Sequence, residues 1–347
     1  MVKYPASYAR MRALKGKLIG KGQLESFLGA SDTKTIASAL SGTVYAKHLR
    51  DSADLPQIEH GLKQDLVLSY IKLLTFLRGR SARFVEALLG RFELLNLKSI
   101  IRSLARTSDE ADSVEPFIFS LGRYHTIPID EALKADDLEK CIALMKRTPF
   151  ARPLEIGYQQ YAEEGKLFLL ELALDLDYYD RLWNAMDDLG PVDKFNAARL
   201  LGIQYDTSNI VWILRFREYY DLSPEQIFQY IIPHGWRIRG KLFWEVADES
   251  DITGAIVKRK VSPYDEILSS VDRVDGSLIL GIELSLLRYR YRESLEIFMK
   301  FPLQSAQLIA FFTCKEMEIR DIITVLSGVQ MELPQERIRS HMVTLRE

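Results

Sequence analysis

Few side chains in this sequence have types and spacing that suit catalysis or ligand binding. The stretch GKLIGKGQ (16–23) is similar to a phosphate-binding loop, in which backbone N–H groups hold phosphate oxygens. Only three residues separate Gly16 from Gly20, and neither serine nor threonine follows Lys21. No strand pattern precedes the loop. The spacing therefore argues against a nucleotide site.

The spacing of the histidines and of the paired acids does not suit a metal site or acid–base catalysis. None of the five histidines belongs to a paired ligand motif; they are His48, His60, His125, His234 and His341. The acids of Glu163–Glu164 and of Asp187–Asp188 are adjacent, so on a helix their side chains point apart. We therefore predict no catalytic residue, metal, cofactor or small-molecule substrate, and a protein that is not an enzyme.

Two further features favour structural roles. Cys141 and Cys314 are the only cysteines, which is typical of small buried side chains in a reducing compartment. LRYRYRES (287–294) interleaves arginine and tyrosine and could stack single-stranded bases. Alternate residues of a helix do not share one face, however. We expect an ordinary helix there and no nucleic-acid partner.

The composition is that of a globular chain without a membrane span. Of 347 residues, 47% are hydrophobic and 27% are charged, and the net charge is −2. Length alone suggests about two domains. No apolar run reaches the ~18 residues that a span requires, and the first residues have no apolar signal core. We expect a cytoplasmic protein that can act at a membrane through a partner.

Charge is unevenly distributed along the chain. Residues 1–50 contain nine Lys/Arg and two Asp/Glu, whereas residues 107–140 contain three and nine. Two oppositely charged segments suggest two polar surfaces, and solvated helix faces are the alternative. The basic residues that we assign to a possible partner surface are Arg10, Arg12, Lys15, Lys17 and Lys21.

A second possible contact lies in IPHGWRIRGKLFWEV (232–246). A break in the helical pattern is followed by aromatic and basic residues, which favours an exposed turn that docks a partner. Trp236 and Arg237 are the candidate contacts.

The elements that position these residues have helical patterns almost throughout. Met11, Leu14 and Leu18 recur at helical spacing with basic residues between them. In LSPEQIFQYI, Ser223 is a predicted N-cap and Pro224 the first helical residue. No alternating strand pattern of useful length occurs, and VDGS (274–277) lacks flanking strands. We predict an all-α fold.

Polar residues recur inside the apolar helices at a regular interval. Asn96, Asn209 and Asp321 are separated by 113 and 112 residues, close to a third of the chain. A buried amide without partners costs about 1–3 kcal/mol, so recurrence suggests a tie to neighbouring backbone. The anchors are preceded by an acid three residues earlier and, in two cases, followed by Arg six residues later; these residues are Glu93, Asp206, Glu318, Arg102 and Arg215.

Weaker repeats support the same division. LSGTVYAKHL (40–49) matches MKRTPFARPL (145–154) in the order apolar, Thr, aromatic, Ala and Leu. An apolar residue precedes Glu59, Glu155 and Glu283. The interval is too long for a solenoid. We predict three similar helical domains, at 1–115, 116–235 and 236–347.

Together these motifs resemble the C-subunit family of V-type and A-type rotary ATPases, whose eukaryotic relative is the d subunit. The resemblance rests on ARMRALKGKLI, LSGTVYAKHL, RFELLNLKSIIRS, YDTSNIVWILRFREYYDLSPEQI with IPHG, and KEMEIRDIITVLSG with LPQERIRSHM. The third copy departs from the others, with Asp321 in place of Asn, Ser327 in place of Arg, and no Thr-x-aromatic match.

The resemblance implies a funnel-like protein of three helical domains around a pseudo-threefold axis. It implies a non-catalytic rotor subunit on the cytoplasmic face of the membrane, which joins the central stalk to the membrane rotor ring. That protein would transmit torque for ATP-coupled proton or sodium transport. The alternative is a helical scaffold that binds an unrelated protein, and affinity for the stalk discriminates the two.

Overall fold

Helices make up the regular structure of the chain in the computed structural model, which describes residues 5–48, 54–105, 115–220, 222–300 and 304–345. Within these ranges there are seventeen α-helices and no strand longer than the isolated bridge between Val274 and Ser277. The predicted all-α class is confirmed. The two ends of the basic segment (1–4 and 49–50) and part of the acidic segment (107–114) lie outside the described residues.

The chain forms two compact units. The first contains the described residues of Met1–Leu66 and Met186–Glu347. Its helices are α1 (Pro5–Lys15), α2 (Lys21–Leu28), α3 (Thr33–Leu40), the start of α4 (Leu55–Leu74), α10 (Pro191–Tyr220), α11 (Pro224–Gln229), α12 (Gly240–Ala247), α13 (Ile252–Lys258), α14 (Tyr264–Ser269), α15 (Leu278–Lys300), α16 (Ala306–Gln330) and α17 (Gln335–His341).

The second unit contains the described residues of Val67–Ala185. It holds the rest of α4, α5 (Gly79–Leu104), α6 (Ile129–Leu133), α7 (Leu138–Leu144), α8 (Ala151–Glu164) and most of α9 (Leu167–Asp187). Helices α8 and α9 approach closely at Gly157, where a Cβ would lie 2.9 Å from the Leu170 Cα. The predicted three-domain division stays a prediction.

The core of the first unit is built around α16. Most residues of this helix are buried, and its apolar side chains are not confined to a single stripe. Its buried residues include Phe311, Ile319 and Val325. It packs against α1, α2, α3, α10, α15 and α17. Charged residues inside α16 consequently have to find partners within the protein.

Local signals determine where several helices begin. Ser223 accepts a hydrogen bond from Gln226 N–H, and the Gln226 side chain accepts from Ser223 N–H, which completes a capping box with Pro224 in the first turn. Asp32, Asp137 and Asp251 cap α3, α7 and α13 by accepting a backbone N–H in the first turn. The predicted cap at Ser223 is confirmed.

Candidate functional site

The two repeated asparagines bind backbone groups 23 residues further along the chain. Asn96 Nδ2 donates to the Phe119 carbonyl oxygen at 2.8 Å, and Asn96 Oδ1 accepts from Phe119 N–H at 2.8 Å. Asn209 makes the same pair of bonds with Ile232, at 2.8 and 2.9 Å. Both asparagines are buried. Each amide therefore pairs with the backbone of one residue and holds a loop against its long helix.

Asp321 occupies the corresponding place with different chemistry. Its carboxylate accepts from Val343 N–H at 2.8 Å, Thr344 N–H at 2.7 Å and the Thr344 hydroxyl at 2.6 Å. A carboxylate can only accept, whereas an amide both donates and accepts. Asp321 accordingly binds two successive N–H groups. It therefore still holds a later segment of backbone, as the two asparagines do, but through a different set of hydrogen bonds.

The acids one turn earlier bind backbone or hydroxyl groups. Glu93 accepts from the N–H and hydroxyl of Thr126 and from Ile127 N–H. Asp206 accepts from Arg237 N–H at 2.7 Å, Ile238 N–H at 3.2 Å and the Tyr264 hydroxyl at 2.8 Å.

Glu318 accepts from the Tyr45 hydroxyl at 2.7 Å. Tyr45 and Tyr264 are both buried, so two of the three acids each bind the hydroxyl of a different buried tyrosine. Tyr45 is the aromatic residue of the Thr-x-aromatic motif in LSGTVYAKHL, and Tyr264 follows Ser262 with one residue between them. The sequence Ser-x-Tyr at 262–264 therefore has serine where the motif has threonine, which is why a search for threonine did not find it.

The arginines after the anchors pair with acids of later helices. Arg102 forms a two-point contact with Glu171, with both N–O distances at 2.6 Å, and Arg215 Nη2 contacts Glu283 Oε2 at 2.6 Å. Glu155, which the sequence pattern selected, is exposed on α8. Glu171 lies 112 residues before Glu283, so the anchor interval would have found it.

Glu59 lies a further 112 residues before Glu171, and it pairs with Lys63 on its own helix. The third arginine position is Ser327, which carries no charge. The structure therefore brings Arg102 and Arg215 to acids, and leaves Glu59 with a local partner.

Burial raises the pKa of three acids of this set, Asp206, Glu318 and Asp321. Burial raises the pKa of Asp206 to about 7, against the opposing effect of the Arg237 N–H and the Tyr264 hydroxyl. Burial likewise raises the pKa of Glu318 to about 8, although the Tyr45 hydroxyl and Lys315 favour the charged form. The carboxyls of Asp206 and Glu318 consequently hold protons near neutral pH.

The substitution Glu318→Gln is expected to flatten the pH dependence of stability. Because the folded-state pKa of Glu318 is raised from 4.5 to about 8, its stabilising effect is full below the lower value and is lost as pH rises through the higher one. Between pH ~5.5 and ~8.5 the wild type should lose about 1–3 kcal/mol more than the variant. Urea unfolding at both pH values measures this.

A matched control is Glu25→Gln, since Glu25 is an exposed acid of the same unit. It makes the same change from acid to amide at the surface, and its slope is the baseline for the comparison. Equal slopes for Glu318→Gln and the wild type would contradict the prediction. The remaining slope in the Glu318 variant is expected to come partly from Asp206, whose pKa is shifted in the same direction.

A buried ion cluster in the first unit was missed from the sequence. Lys315 on α16 pairs with Asp65 on α4, and Lys47 Nζ lies 2.9 Å from the other Asp65 oxygen. Burial would raise the pKa of Asp65, but His48, Lys315 and Lys47 outweigh it and lower that pKa. The lysine in FFTCKEMEI was the available signal, because it follows an apolar run and a buried charge requires a partner.

The predicted basic surface is only partly exposed. Lys17 and Lys21 are exposed, and so is Arg12, whose Cζ lies 5.9 Å from the Phe298 ring centroid. Lys15 Nζ lies 4.4 Å from the same centroid. Arg10 Nε is buried and has no hydrogen-bond partner among the described residues. Arg10 and Lys15 therefore help to pack α1, and the outward charge is carried mainly by the other three.

The predicted turn around Trp236 is held by hydrogen bonds to α10. Trp236 N–H donates to the Gly202 carbonyl oxygen at 3.1 Å, while Asp206 binds the next two N–H groups. A Cβ on Gly235 would lie 2.1 Å from Asp206 Oδ1, so only glycine fits there. Arg237 is exposed, with its Cζ 5.2 Å from the Trp236 ring centroid.

Reactive groups do not converge in the described residues. No set of three or more His, Cys, Asp or Glu there could hold a metal ion. Cys141 and Cys314 are buried, and burial raises the pKa of their thiols to about 11 and about 12. Such thiols are poor nucleophiles. No helix in the described part of the chain combines the length and apolar character needed to cross a membrane.

These observations define a class: a helical protein whose buried amides and acids bind its own backbone. The chain belongs to the ATP synthase (C/AC39) subunit family, whose model matches residues 7–341. It is 25% identical over 346 residues to the C subunit of the A-type ATP synthase from Methanosphaera stadtmanae, covering 98% of this chain and 88% of that protein. It is 26% identical over 348 residues to the protein of the same name from Haloferax volcanii, covering 97% and 95%.

Proposed function

We propose that this chain is a non-catalytic rotor subunit of a V-type or A-type rotary ATPase. It would act as a socket that joins the central stalk to the membrane rotor ring, on the cytoplasmic face of the membrane. Torque passing through it would couple ATP turnover to proton or sodium transport. Membership of the ATP synthase (C/AC39) subunit family carries this proposal, with support from relatives named as the C subunit of A-type ATP synthases.

The proposal includes three similar domains, at 1–115, 116–235 and 236–347, in a funnel around a pseudo-threefold axis. The equal spacing of Asn96, Asn209 and Asp321, each bound to backbone 22 or 23 residues later, supports it. Contacts between different copies support it as well. Asp206 of the second copy accepts from Tyr264 of the third, and Glu318 of the third accepts from Tyr45 of the first.

Rigidity links these contacts to torque. A protein that transmits rotation must resist deformation, and cores respond to strain as closely packed solids. Buried side-chain bonds to backbone raise the cost of local opening, because each broken bond leaves an unsatisfied group. The paired acids and amides of the long helices therefore suit a mechanical link.

Binding to the central stalk is the direct test. We expect calorimetry or native mass spectrometry to detect a one-to-one complex between the purified chain and the central stalk subunit pair of the same organism. Absence of binding at tens of micromolar, both for the free chain and for the chain on its rotor ring, would contradict the proposal. An unrelated partner captured in place of the stalk would favour the scaffold alternative.

Charge reversal at the exposed basic residues should weaken assembly. Lys17→Glu with Lys21→Glu removes outward positive charge from the first unit, while the side chains that pack α1 are left intact. We expect the affinity for the remainder of the complex to fall about 3- to 10-fold at low salt, since such charges mainly affect association. Reconstitution followed by sedimentation measures this.

The control for that experiment is Lys146→Glu with Arg147→Glu, two exposed basic residues of the second unit. Circular dichroism should show the same helix content in both double variants. Equal assembly of the two would remove the basic segment from the proposed partner surface.

A further inference from the structure

A cavity of about 410 Å³ in the first unit has an unusual charge arrangement. Its lining includes Arg199, Trp236, Arg237, Tyr289 and Glu293. Arg199 pairs with Glu293. No carboxylate among the described residues lies within ion-pairing distance of Arg237. The cavity thus presents one uncompensated guanidinium beside an indole ring.

Tyr289 adds a neutral hydroxyl to this lining. Burial, followed by the neighbouring Glu293, raises the pKa of Tyr289 to about 12. The phenol consequently stays protonated at any physiological pH and contributes no negative charge that would oppose an incoming anion. With Arg199 neutralised by Glu293, the net character of the cavity is positive.

The second unit provides an internal comparison. A cavity of about 400 Å³ there is lined by Glu86, His125, Thr126 and Arg181, among others. Residues 111 to 113 positions later in the chain line the cavity of the first unit. Glu86 thereby corresponds to Arg199, Arg181 to Glu293, His125 to Trp236 and Thr126 to Arg237.

The balance of charge differs between these two cavities. The cavity of the second unit is lined by two arginines, Arg123 and Arg181, and by two acids, Glu86 and Glu93. Its positive and negative side chains are therefore equal in number. In the first unit the position of Glu86 is occupied by Arg199, and the acid of the lining, Glu293, is engaged by it. The cavity beside Trp236 therefore has one guanidinium, that of Arg237, without an opposing carboxylate in its lining.

The fold does not require an arginine at position 237. At both places the acid of the long helix binds backbone N–H groups, through Thr126 and Ile127 for Glu93 and through Arg237 and Ile238 for Asp206. Thr126 also uses its hydroxyl for this tie. The Arg237 side chain instead extends to the surface beside Trp236.

We propose that the cavity beside Trp236 and Arg237 receives an acidic side chain of the central stalk. The inference rests on the proposed function and assigns the contact to a particular place. A carboxylate would bind the Arg237 guanidinium and lie against the edge of the indole. Arg and Trp are also among the residues that most often dominate protein interfaces.

The turn is prepared for this contact before binding. Gly202 and Asp206 hold its backbone from one side, and Gly235 allows the acid to approach within a distance that no Cβ permits. A preorganised turn loses little conformational entropy when a partner docks. The turn is rigid and exposed rather than enclosed, so it suits the carboxylate of a protein partner better than a small molecule.

The test compares two arginines of the same turn. Arg237→Glu alters the cavity, whereas Arg239→Glu makes the same charge change at an exposed residue outside the lining. Calorimetric titration with the central stalk subunit pair should show at least ~10-fold weaker binding for Arg237→Glu and less than ~3-fold for Arg239→Glu. Arg237→Lys should retain part of the affinity, because it keeps the charge but loses the planar fork.

The outcomes separate the two levels of the proposal. Stalk binding by the wild type with equal affinities for both glutamate variants would overturn the cavity assignment and leave the rotor role intact. Absence of stalk binding by the wild type, both as the free chain and on its rotor ring, would overturn both. Inorganic phosphate is the third probe: if it shifts the Trp236 indole signal in the wild type and not in Arg237→Glu while stalk affinity is unaffected, the cavity binds small anions and the docking proposal is wrong.

Discussion

Replacing Lys315 by alanine is expected to destabilise the first unit by about 3–5 kcal/mol. Lys315 and Asp65 are only 4% and 3% exposed, and their ion pair joins α16 to α4. Removing the ammonium leaves the Asp65 carboxylate buried with a weaker set of partners. Breaking one half of a buried pair costs far more than the pair itself contributes, because the remaining charge has lost its compensation.

Urea unfolding monitored by circular dichroism measures the loss. Lys63→Ala is the control, since Lys63 pairs with Glu59 at the surface of α4 and such pairs contribute about 0–1 kcal/mol. The double substitution Asp65→Asn with Lys315→Met should recover much of the stability, because no unpaired charge remains. A loss below ~1 kcal/mol for Lys315→Ala would show that the remaining neighbours of Asp65, Lys47 and His48, are enough to compensate it.

Asn209→Ala should produce the second large effect, about 2–5 kcal/mol. Both Asn209 and Ile232 are buried, and the amide satisfies the N–H and the carbonyl of Ile232 at once. Alanine leaves both backbone groups without these partners, and each costs about 1–3 kcal/mol when buried. Urea unfolding again gives the loss. Asn184→Ala provides the comparison, because Asn184 is an exposed helical asparagine whose amide meets Asp180.

Exchanging amide and acid at two anchors tests the geometry more sharply. Asn209→Asp cannot donate to the Ile232 carbonyl, and Asp321→Asn turns one acceptor toward Val343 or Thr344 into a donor. Both exchanges should destabilise the protein although they conserve shape. If either variant were as stable as the wild type in urea, the stated match between anchor and backbone would be incorrect.

Residues close together in the sequence determined the helical class and several helix ends. The three- and four-residue recurrence of apolar side chains depends only on the pitch of a helix, and Ser223 caps α11 through atoms three residues away. The interval between Asn96, Asn209 and Asp321 also identified residues that bind backbone. The sequence did not explain why Asp321 is an acid and not an amide, because the N–H groups that it binds lie 22 and 23 residues away.

Only the tertiary structure decided the long-range partners. Tyr45 meets Glu318 across 273 residues of chain, and Asp65 meets Lys315 across 250. Helical periodicity indicates which face of a helix is buried but not which helix covers it. The apolar–Glu pattern selected Glu155, whereas the acid that binds Arg102 is Glu171, and this difference has the same origin. Contacts between distant elements depend on packing of the whole core, and local propensity carries no information about it.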